Sequence, residues 1–179
     1  MMKIVVSKNE DKWAGILLNK EKLYYTHSSF ENKKDAVSYL SKIAGEDVSV
    51  EEKEHPYIKA LIGIDNGTDY DLPNIEFDFT GFTEKEAKVL QTLFEVPVGD
   101  TISYGELAKK AGFPGAAQFV GNVMMKNRFG PVIPCHRVIL SNGKLGKFAG
   151  QANNPRKKQL LDQEKRTKGL DKFISSNIH

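Results

Sequence analysis

The chain has 179 residues, of which 40% are hydrophobic, so it can bury one core or two small ones, and no apolar run approaches the ~20 residues of a membrane span. A single cysteine excludes an internal disulfide and a Cys-x-x-Cys zinc site. The N-terminal segment becomes polar too soon for a secretory signal, and together these features predict a reducing, cytoplasmic location. The net charge of +3 divides unevenly, because residues 1–80 carry 10 Lys/Arg against 15 Asp/Glu (net −5) and residues 81–179 carry 16 against 8 (net +8).

The first half of the chain has the pattern of an α/β scaffold domain, which we place at residues 1–75. Short strand-like runs separated by polar breaks come first: residues 3–7, 13–19 and 22–27. The stretch KKDAVSYLSKIAG then has the apolar spacing of a helix that ends at Gly45. Gly, Asn, Asp and Pro cluster in residues 65–74, which predicts a loop and a domain boundary. No motif here carries chemistry, and His27 and His55 are interpreted as surface or packed histidines.

The second half has the pattern of short helices joined by tight turns, in a domain placed at residues 80–170 and followed by a tail at 171–179. Two capping-box pairs predict where helices begin: Thr83 with Glu86, and Ser103 with Glu106. Gly112 is expected to close the second helix, and a further helix is predicted in residues 115–127. Helix, tight turn and helix in a basic context predict a helix-turn-helix that contacts DNA. A pure packing unit with a solvated basic surface is the alternative.

The second helix of this predicted helix-turn-helix carries small residues on its early turns, namely Ala116, Ala117 and Gly121. Its only obvious hydrogen-bond donors there are Gln118 and Asn122. A helix that reads bases in the major groove usually presents several Arg, Asn or Gln side chains. The sequence therefore predicts recognition of DNA shape or of an abnormal base, more than of a base sequence.

The single cysteine, Cys135, is expected at a bend. Prolines in the preceding GPVIP segment predict an extended, irregular approach and not a central strand. Asn142-Gly143 then predicts a tight hairpin turn between the runs HRVIL and KLGKF. On this pattern alone Cys135 is either a small packed residue or a nucleophile. Its neighbour His136 can lower the thiol pKa only through a bend or a water, since adjacent side chains of extended backbone point to opposite faces.

A wider pattern surrounds this cysteine. PCHRV, preceded by SYGELAKKAG and VGNVMMKN and followed by SNGKLGKFAG and LLDQE, closely resembles the O6-alkylguanine-DNA alkyltransferases, also called methylated-DNA–protein-cysteine methyltransferases. The resemblance covers about residues 83–165. It implies an α+β fold, with an N-terminal ribonuclease H-like α/β domain and a C-terminal winged-helix-like domain that contains the helix-turn-helix.

The resemblance also implies a reaction. Members of this family flip an alkylated guanine out of the duplex and transfer its O6-alkyl group irreversibly to a cysteine, so that each protein molecule acts once. The implied partner is double-stranded DNA that contains O6-alkylguanine. No membrane, no cofactor and no catalytic metal are expected, and the chain is expected to be a monomer.

Catalytic roles follow from the resemblance, residue by residue. Cys135 is the implied acceptor, and His136 the base that forms the thiolate through a water. Glu164 matches the carboxylate that orients the histidine, although two extra residues upstream leave Asp162 as a competitor. Tyr104 matches the tyrosine that hydrogen-bonds the flipped guanine and helps the leaving group gain a proton. Without the resemblance, Tyr104 is interpreted as a packed helix residue.

Further residues are implied for the guanine pocket. Asn127 matches the asparagine that joins the recognition helix to the active-site segment, and on sequence alone it is a helix C-cap. Val138 is expected to offer its backbone carbonyl to the guanine amine, and Ala149 its backbone amide to O6. Met124 and Phe148 are expected to form apolar walls, with Phe148 in place of a tyrosine common in the family.

The expected DNA-binding residues lie on and just after the recognition helix: Ala117, Gln118, Gly121, Asn122, Lys126 and Arg128. Gln118 stands where the family usually has an arginine that replaces the flipped base, so base flipping is expected to be slower or DNA affinity lower. Arg128 is expected to supply some of the missing charge.

Two other functions stay open. One is a non-catalytic helix-turn-helix binder of alkylated DNA, and the other is a cysteine hydrolase with a Cys-His-Glu triad.

Overall fold

The structure is a computed structural model that describes residues 1–45, 47–68 and 70–177, with side chains through residue 169. The described residues combine helices and sheets in two compact units, which agrees with the predicted α+β class. The first unit contains Met1–Gly81 and Arg128–Val132, and the second contains Phe82–Asn127 and the described residues from Ile133 on. No helix in the described ranges has both the length and the apolarity needed to cross a membrane.

A four-stranded sheet forms the base of the first unit, in the order β3-β2-β1-β4. Its strands are β1 (Met2–Asn9), β2 (Lys12–Asn19), β3 (Lys22–Phe30) and β4 (Ser49–Glu52). The first three pair antiparallel and β4 runs parallel to β1. Helix α1 (Lys33–Ala44) places Ala36 and Leu40 against the core residues of this sheet. Full burial of a side chain such as Leu40 contributes roughly 2 kcal/mol to folding.

The predicted strands and the helix that ends at Gly45 are confirmed, whereas β4 and helix α2 (Pro56–Asn66) were not predicted. The SVEE segment of β4 is too short and polar to show strand periodicity. His55 is the N-cap of helix α2: its ring accepts a hydrogen bond from the Tyr57 amide, and a proline follows in the first turn. His55 is therefore a helix cap, an arrangement that the interpretation as a surface or packed residue did not anticipate.

Helices dominate the second unit: α3 (Glu84–Phe94), α4 (Tyr104–Lys110), α5 (Ala117–Lys126) and α6 (Pro155–Asn177). Both predicted capping boxes are confirmed, at the starts of α3 and α4. Gly112 lies one residue past the Ala111 C-cap with φ of +91°, a left-handed conformation that strains residues with a Cβ, so its predicted role is confirmed. The tail predicted at 171–179 is helical through Asn177, and residues 178–179 lie outside the described part.

The predicted hairpin around Asn142-Gly143 is wrong beyond its turn. The turn itself forms, because the Gly143 amide donates to the Leu140 carbonyl at 2.9 Å. One pair beside the turn also forms, since the Leu140 amide donates to the Lys144 carbonyl at 2.9 Å. The residues farther from the turn pair elsewhere: β6 (Val138–Ile139) lies parallel to β5 (Ile102–Ser103), and β7 (Lys147–Phe148) pairs with β8 (Gln151–Ala152). The turn is therefore followed by a loop and not by a two-stranded ladder.

The range 80–170, predicted as one domain, is interrupted, because Arg128–Val132 belongs to the first unit. The Arg128 guanidinium donates to the carbonyls of Asp78 and Thr80 at 2.7 and 2.9 Å and lies 3.8 Å from the centroid of the Tyr24 ring. The sequence alone did not indicate this, because Arg128 lies only two residues after the end of α5.

Candidate active site

A cavity of about 610 Å³ lies in the second unit, and Cys135 is one of its lining residues. Four residues predicted for the pocket line it as well: Tyr104, Met124, Phe148 and Ala149. Val138, also predicted for the pocket, is fully buried and is not among the lining residues. The structure therefore brings together a thiol, a phenol and apolar walls around one space that is large enough for a purine.

The early turns of α5 border the same cavity. Four of the residues predicted to contact DNA are in its lining: Ala117, Gln118, Gly121 and Asn122. The other two have protein partners, because Lys126 pairs with Glu86 at 2.5 Å and Arg128 donates to backbone carbonyls of the first unit. Lys144 and Lys147, which the sequence interpretation missed, are exposed residues of the cavity lining.

A single turn of 3-10 helix, Cys135–Arg137, sets the position of the thiol. The Cys135 amide donates to the Ile133 carbonyl and the Arg137 amide to the Pro134 carbonyl, both at 2.9 Å. Asn127 supports the same segment, since its side-chain amide donates to the Ile133 carbonyl at 3.0 Å. The bend predicted at Cys135 is thus confirmed, and it removes the alternation that would separate neighbouring side chains.

His136 is fully buried and contacts a carboxylate. Its Nε2 lies 2.6 Å from Glu164 Oε1, whereas Asp162 pairs with Lys158 on the surface. The other ring nitrogen, Nδ1, is buried and has no hydrogen-bond partner within the described residues. A buried polar atom of this kind calls for a water or a ligand group as its partner.

Glu164 is held by more than the histidine. Arg137 donates to both of its oxygens, with Nε at 2.9 Å from Oε2 and Nη2 at 2.8 Å from Oε1, and the Gly99 amide donates to Oε2 at 3.1 Å. Burial alone would raise the pKa of this carboxyl, but the hydrogen bonds from His136 and Arg137 outweigh it and lower the pKa to about 2. Glu164 is therefore a carboxylate at all physiological pH values.

The histidine and the thiol are both neutral in this resting site. Burial lowers the pKa of His136, although the hydrogen bond and the charge of Glu164 raise it, so the imidazole is uncharged near pH 7. Burial likewise raises the pKa of the Cys135 thiol, against the hydrogen bond from Asn127 and the charge of Lys157, which lower it. The pKa of Tyr104 is raised by burial and, once Cys135 is ionised, also by the negative charge of the thiolate, so the phenol stays protonated.

Lys157, which hydrogen-bonds two backbone segments of this site, was also missed by the sequence interpretation. It is fully buried, and its Nζ donates to the carbonyls of Val138 and Lys147 at 2.5 and 3.2 Å. Its position in the lysine-rich PRKKQ stretch hides it among surface lysines. The available signal was helical spacing, because Lys157, Leu161 and Glu164 follow i, i+4, i+7 and share one face of α6.

Residues 84–166 match the family described as 6-O-methylguanine DNA methyltransferase, DNA binding domain. The methylated-DNA–protein-cysteine methyltransferase of Mycobacterium leprae is 45% identical over 91 residues, which are 51% of this chain and 53% of that protein. The protein of the same name from Kluyveromyces lactis is 34% identical over 131 residues, 73% of this chain and 61% of that protein. The chain thus spans about half to three fifths of the length of these curated relatives.

Solved structures extend the likeness over nearly the whole fold. The O6-methylguanine methyltransferase of Mycobacterium tuberculosis has a TM-score of 0.69 at 26% identity, over 93% of this chain and 94% of that one. The OGT of the same organism in complex with DNA has a TM-score of 0.69 at 25% identity, over 92% and 93% of the two chains. Residues 84–166 thus match the family of these methyltransferases, and the mixed fold of the described residues is similar to that of the solved methyltransferases.

Proposed function

We propose that the chain repairs DNA by direct, irreversible transfer of an alkyl group from the O6 atom of guanine to Cys135. The observation that carries this proposal is a lone thiol lining a purine-sized cavity, on the same turn as a histidine buried against a carboxylate. The chain's relatives are named for transfer of a methyl group from DNA to a protein cysteine.

Two finer assignments of the fold belong to this proposal. We infer that the sheet and α1 of the first unit form a ribonuclease H-like scaffold domain. We infer that the second unit is a winged-helix-like domain that both binds DNA and accepts the alkyl group, with α4 and α5 as its helix-turn-helix. The proposed location is the cytoplasm, and the proposed state is a monomer.

DNA is proposed to meet the early turns of α5, whose small side chains allow the backbone of the duplex to come close. The target guanine must leave the stack, because its O6 atom is out of reach of a thiol within the duplex. Gln118 borders the cavity and is exposed, and we propose that its side chain fills the gap that the guanine leaves. Its amide can hydrogen-bond the orphaned cytosine but adds no positive charge.

Proton transfer precedes transfer of the alkyl group. The neutral His136 is proposed to take the Cys135 proton at Nδ1 through a water, which would give that nitrogen the partner it lacks among the described residues. Glu164, bonded to Nε2, then stabilises the imidazolium that forms. The thiolate attacks the alkyl carbon, a C–S bond forms, and the C–O6 bond breaks with its electron pair on the guanine.

The guanine is proposed to be held at its edges while it leaves. The protonated Tyr104 donates to a ring nitrogen and reduces the negative charge that develops on the base. Ala149 offers its amide to O6, and Val138 its carbonyl to the exocyclic amine. Although Lys157 already donates to that carbonyl, a carbonyl oxygen has two lone pairs and can accept both bonds. Met124 and Phe148 pack against the base.

The test of this proposal is stoichiometry. With excess oligonucleotide that contains O6-methylguanine, repair should stop after one equivalent, because a thioether is not hydrolysed as a thioester would be. The peptide that contains Cys135 should gain the mass of one methylene in a mass spectrum. Continued turnover would indicate a cysteine hydrolase, and tight binding without a mass gain would indicate a non-catalytic binder. Either result would overturn the proposal.

DNA binding should weaken with salt by an amount that reports which cations contact phosphates. Lys109 and Lys110 are exposed, whereas Lys126 and Arg128 have partners in the protein. Two phosphate contacts correspond to a loss of about tenfold in affinity between ~50 and ~200 mM salt, and four contacts to about a hundredfold. We expect the tenfold change, measured by fluorescence anisotropy on a labelled duplex.

A matched pair of variants checks the assignment. The double variant Lys109→Gln with Lys110→Gln should flatten the salt profile, and Lys126→Gln should change it much less. A profile that is flat in the unmodified protein would mean that neither Lys109 nor Lys110 contacts a phosphate, and both would then belong to the solvated surface.

A further inference from the structure

We propose that Lys144 and Lys147, two exposed residues of the cavity lining, hold the phosphate groups beside the flipped nucleotide. The cavity thereby selects alkylated guanine within DNA over the same base free in solution. This inference rests on the proposed function, and it assigns the recognition of one part of the substrate to two residues.

The lining of the cavity carries charge of one sign. Among the described residues that line it, only Lys144 and Lys147 are charged, and none is acidic. The wall formed by α5 is neutral, with small residues, two side-chain amides and Met125, which is 70% exposed. A neutral alkylated base offers no partner to two positive charges, so their presence indicates an anionic group at the same site.

The charges of these two lysines are not used elsewhere in the described part of the chain. No acidic side chain there forms an ion pair with Lys144 or Lys147, and both residues are exposed. Lys126 and Arg128, by contrast, have partners in the protein. The positive charges available at the cavity are therefore those of residues 144 and 147, and not those at the end of α5.

Hydrogen bonds fix the backbone at both lysines. The Lys144 amide donates to Asn142 Oδ1 at 3.0 Å, and the Lys144 carbonyl accepts from the Leu140 amide at 2.9 Å. Lys147 belongs to β7, and its carbonyl accepts from the buried Lys157 ammonium at 3.2 Å. Each side chain therefore starts from a fixed point, so less conformational entropy is lost when it is ordered at a phosphate.

The segment between the two lysines lies against Tyr104. Gly146 has a φ of +71°, and a Cβ added to it would lie 3.5 Å from Tyr104 Cε2, which is van der Waals distance. Because Tyr104 is the proposed hydrogen-bond donor to the guanine, the lysines flank the place where the base is bound. The sugar and the phosphates stay joined to the neighbouring nucleotides, so they must lie at the mouth of the cavity, where the exposed lysines are.

Lysine is well suited to a phosphodiester that moves during binding. Its ammonium is a compact charge with three hydrogen-bond donors on a flexible four-carbon stem, so it can follow the phosphate as the nucleotide turns out of the duplex. The contact forms only after the base has left the stack. It therefore adds to the rate of transfer and not to the affinity for an undamaged duplex, which the exposed Lys109 and Lys110 are expected to provide.

The experiment compares O6-benzylguanine within a duplex oligonucleotide and as the free base, which carries the same alkyl group without phosphates. Lys144→Gln with Lys147→Gln should slow transfer to Cys135 from the oligonucleotide by about tenfold or more at ~50 mM salt, and should change the second-order rate constant for the free base little. Loss of two phosphate contacts should also reduce the fall in the DNA rate between ~50 and ~200 mM salt by about tenfold. The affinity for an undamaged duplex should keep its salt profile.

Lys158→Gln with Lys165→Gln is the matched control, because it removes two charges from exposed residues of α6 that do not line the cavity. It should leave both rates near those of the unmodified protein, and Lys144→Arg with Lys147→Arg should retain transfer from DNA because it keeps both charges. Equal losses with both substrates would mean that the lysines act on the base or the thiol, and an unchanged DNA rate would mean that they contact no phosphate. Either result overturns the inference. Failure of the proposed function would appear differently, as no transfer from the oligonucleotide by the unmodified protein.

Discussion

Replacement of Cys135 by serine is expected to abolish alkyl transfer while leaving DNA binding intact. A serine hydroxyl ionises far less readily than a thiol, and a thiol in this site already has a raised pKa. Loss of the nucleophile in systems of this type costs more than about 10⁴-fold in rate. Binding should persist, because the proposed DNA contacts lie on α5 and not on the turn that carries the thiol. Single-turnover transfer from an O6-methylguanine oligonucleotide and anisotropy on the same duplex measure the two properties.

Cys135→Ala is the companion variant, since it removes the heteroatom with little change in volume. The thermal unfolding midpoint of both variants should lie within a few degrees of that of the unmodified protein. If Cys135→Ser still removes the alkyl group, the acceptor is another residue. If it folds but no longer binds DNA, the separation between binding and chemistry is incorrect.

The second large effect concerns Glu164→Gln, which should impair stability and transfer together. The carboxylate compensates Arg137 in a buried site and accepts from His136 Nε2. Removal of one partner from a buried ion pair costs about 3–5 kcal/mol, because the other charge is left uncompensated. Transfer should slow as well, because the imidazolium loses its counter-charge. Urea unfolding at pH 7 and single-turnover kinetics measure the two effects.

The same substitution should change the response to acid. The pKa of Glu164 is about 2 in the folded chain and about 4.3 for an unperturbed glutamate, so the unfolded state binds its proton more readily. The stabilisation is fully present above pH ~4.3 and is lost as the pH falls toward ~2, by an amount on the order of a few kcal/mol. Glu164→Gln removes this contribution and should flatten the stability profile between ~pH 5 and ~pH 2.

Asp162→Asn is the control for both measurements. Asp162 lies on the same helix and pairs with Lys158 on the surface, so its replacement should change the free energy of unfolding by at most ~1 kcal/mol. Equal effects of the two substitutions at pH 7 would mean that the buried pair with Arg137 does not stabilise the fold.

Local patterns predicted the elements that depend on local interactions. The short apolar run in KIVVS and the capping boxes at Thr83 and Ser103 each concern a few neighbouring residues, and the structure confirms the strand and both boxes. The Asn142-Gly143 turn also formed, but the pairing of its flanks depends on β5 and β8, which no local pattern specifies. Local chemistry therefore predicts turns and caps better than it predicts which strands pair.

Residues of the site were predictable to different degrees. The PCHRV motif drew attention to Cys135 and His136, and the spacing left Glu164 and Asp162 as alternatives that only the three-dimensional contact with His136 separates. Lys157 was not predicted, because its burial depends on how α6 packs and not on its neighbours in sequence.

The interrupted course of the chain has a consequence for anyone who dissects this protein. Phe129 is fully buried and packs edge-on against Phe77 and Phe79, with ring centroids 5.2 and 5.5 Å away. A fragment cut out at Gly81 would keep Phe129 but lose both of these aromatic neighbours, so an apolar side chain would face water six residues before Cys135. One cleavage at this point therefore cannot release the second unit with its packing intact.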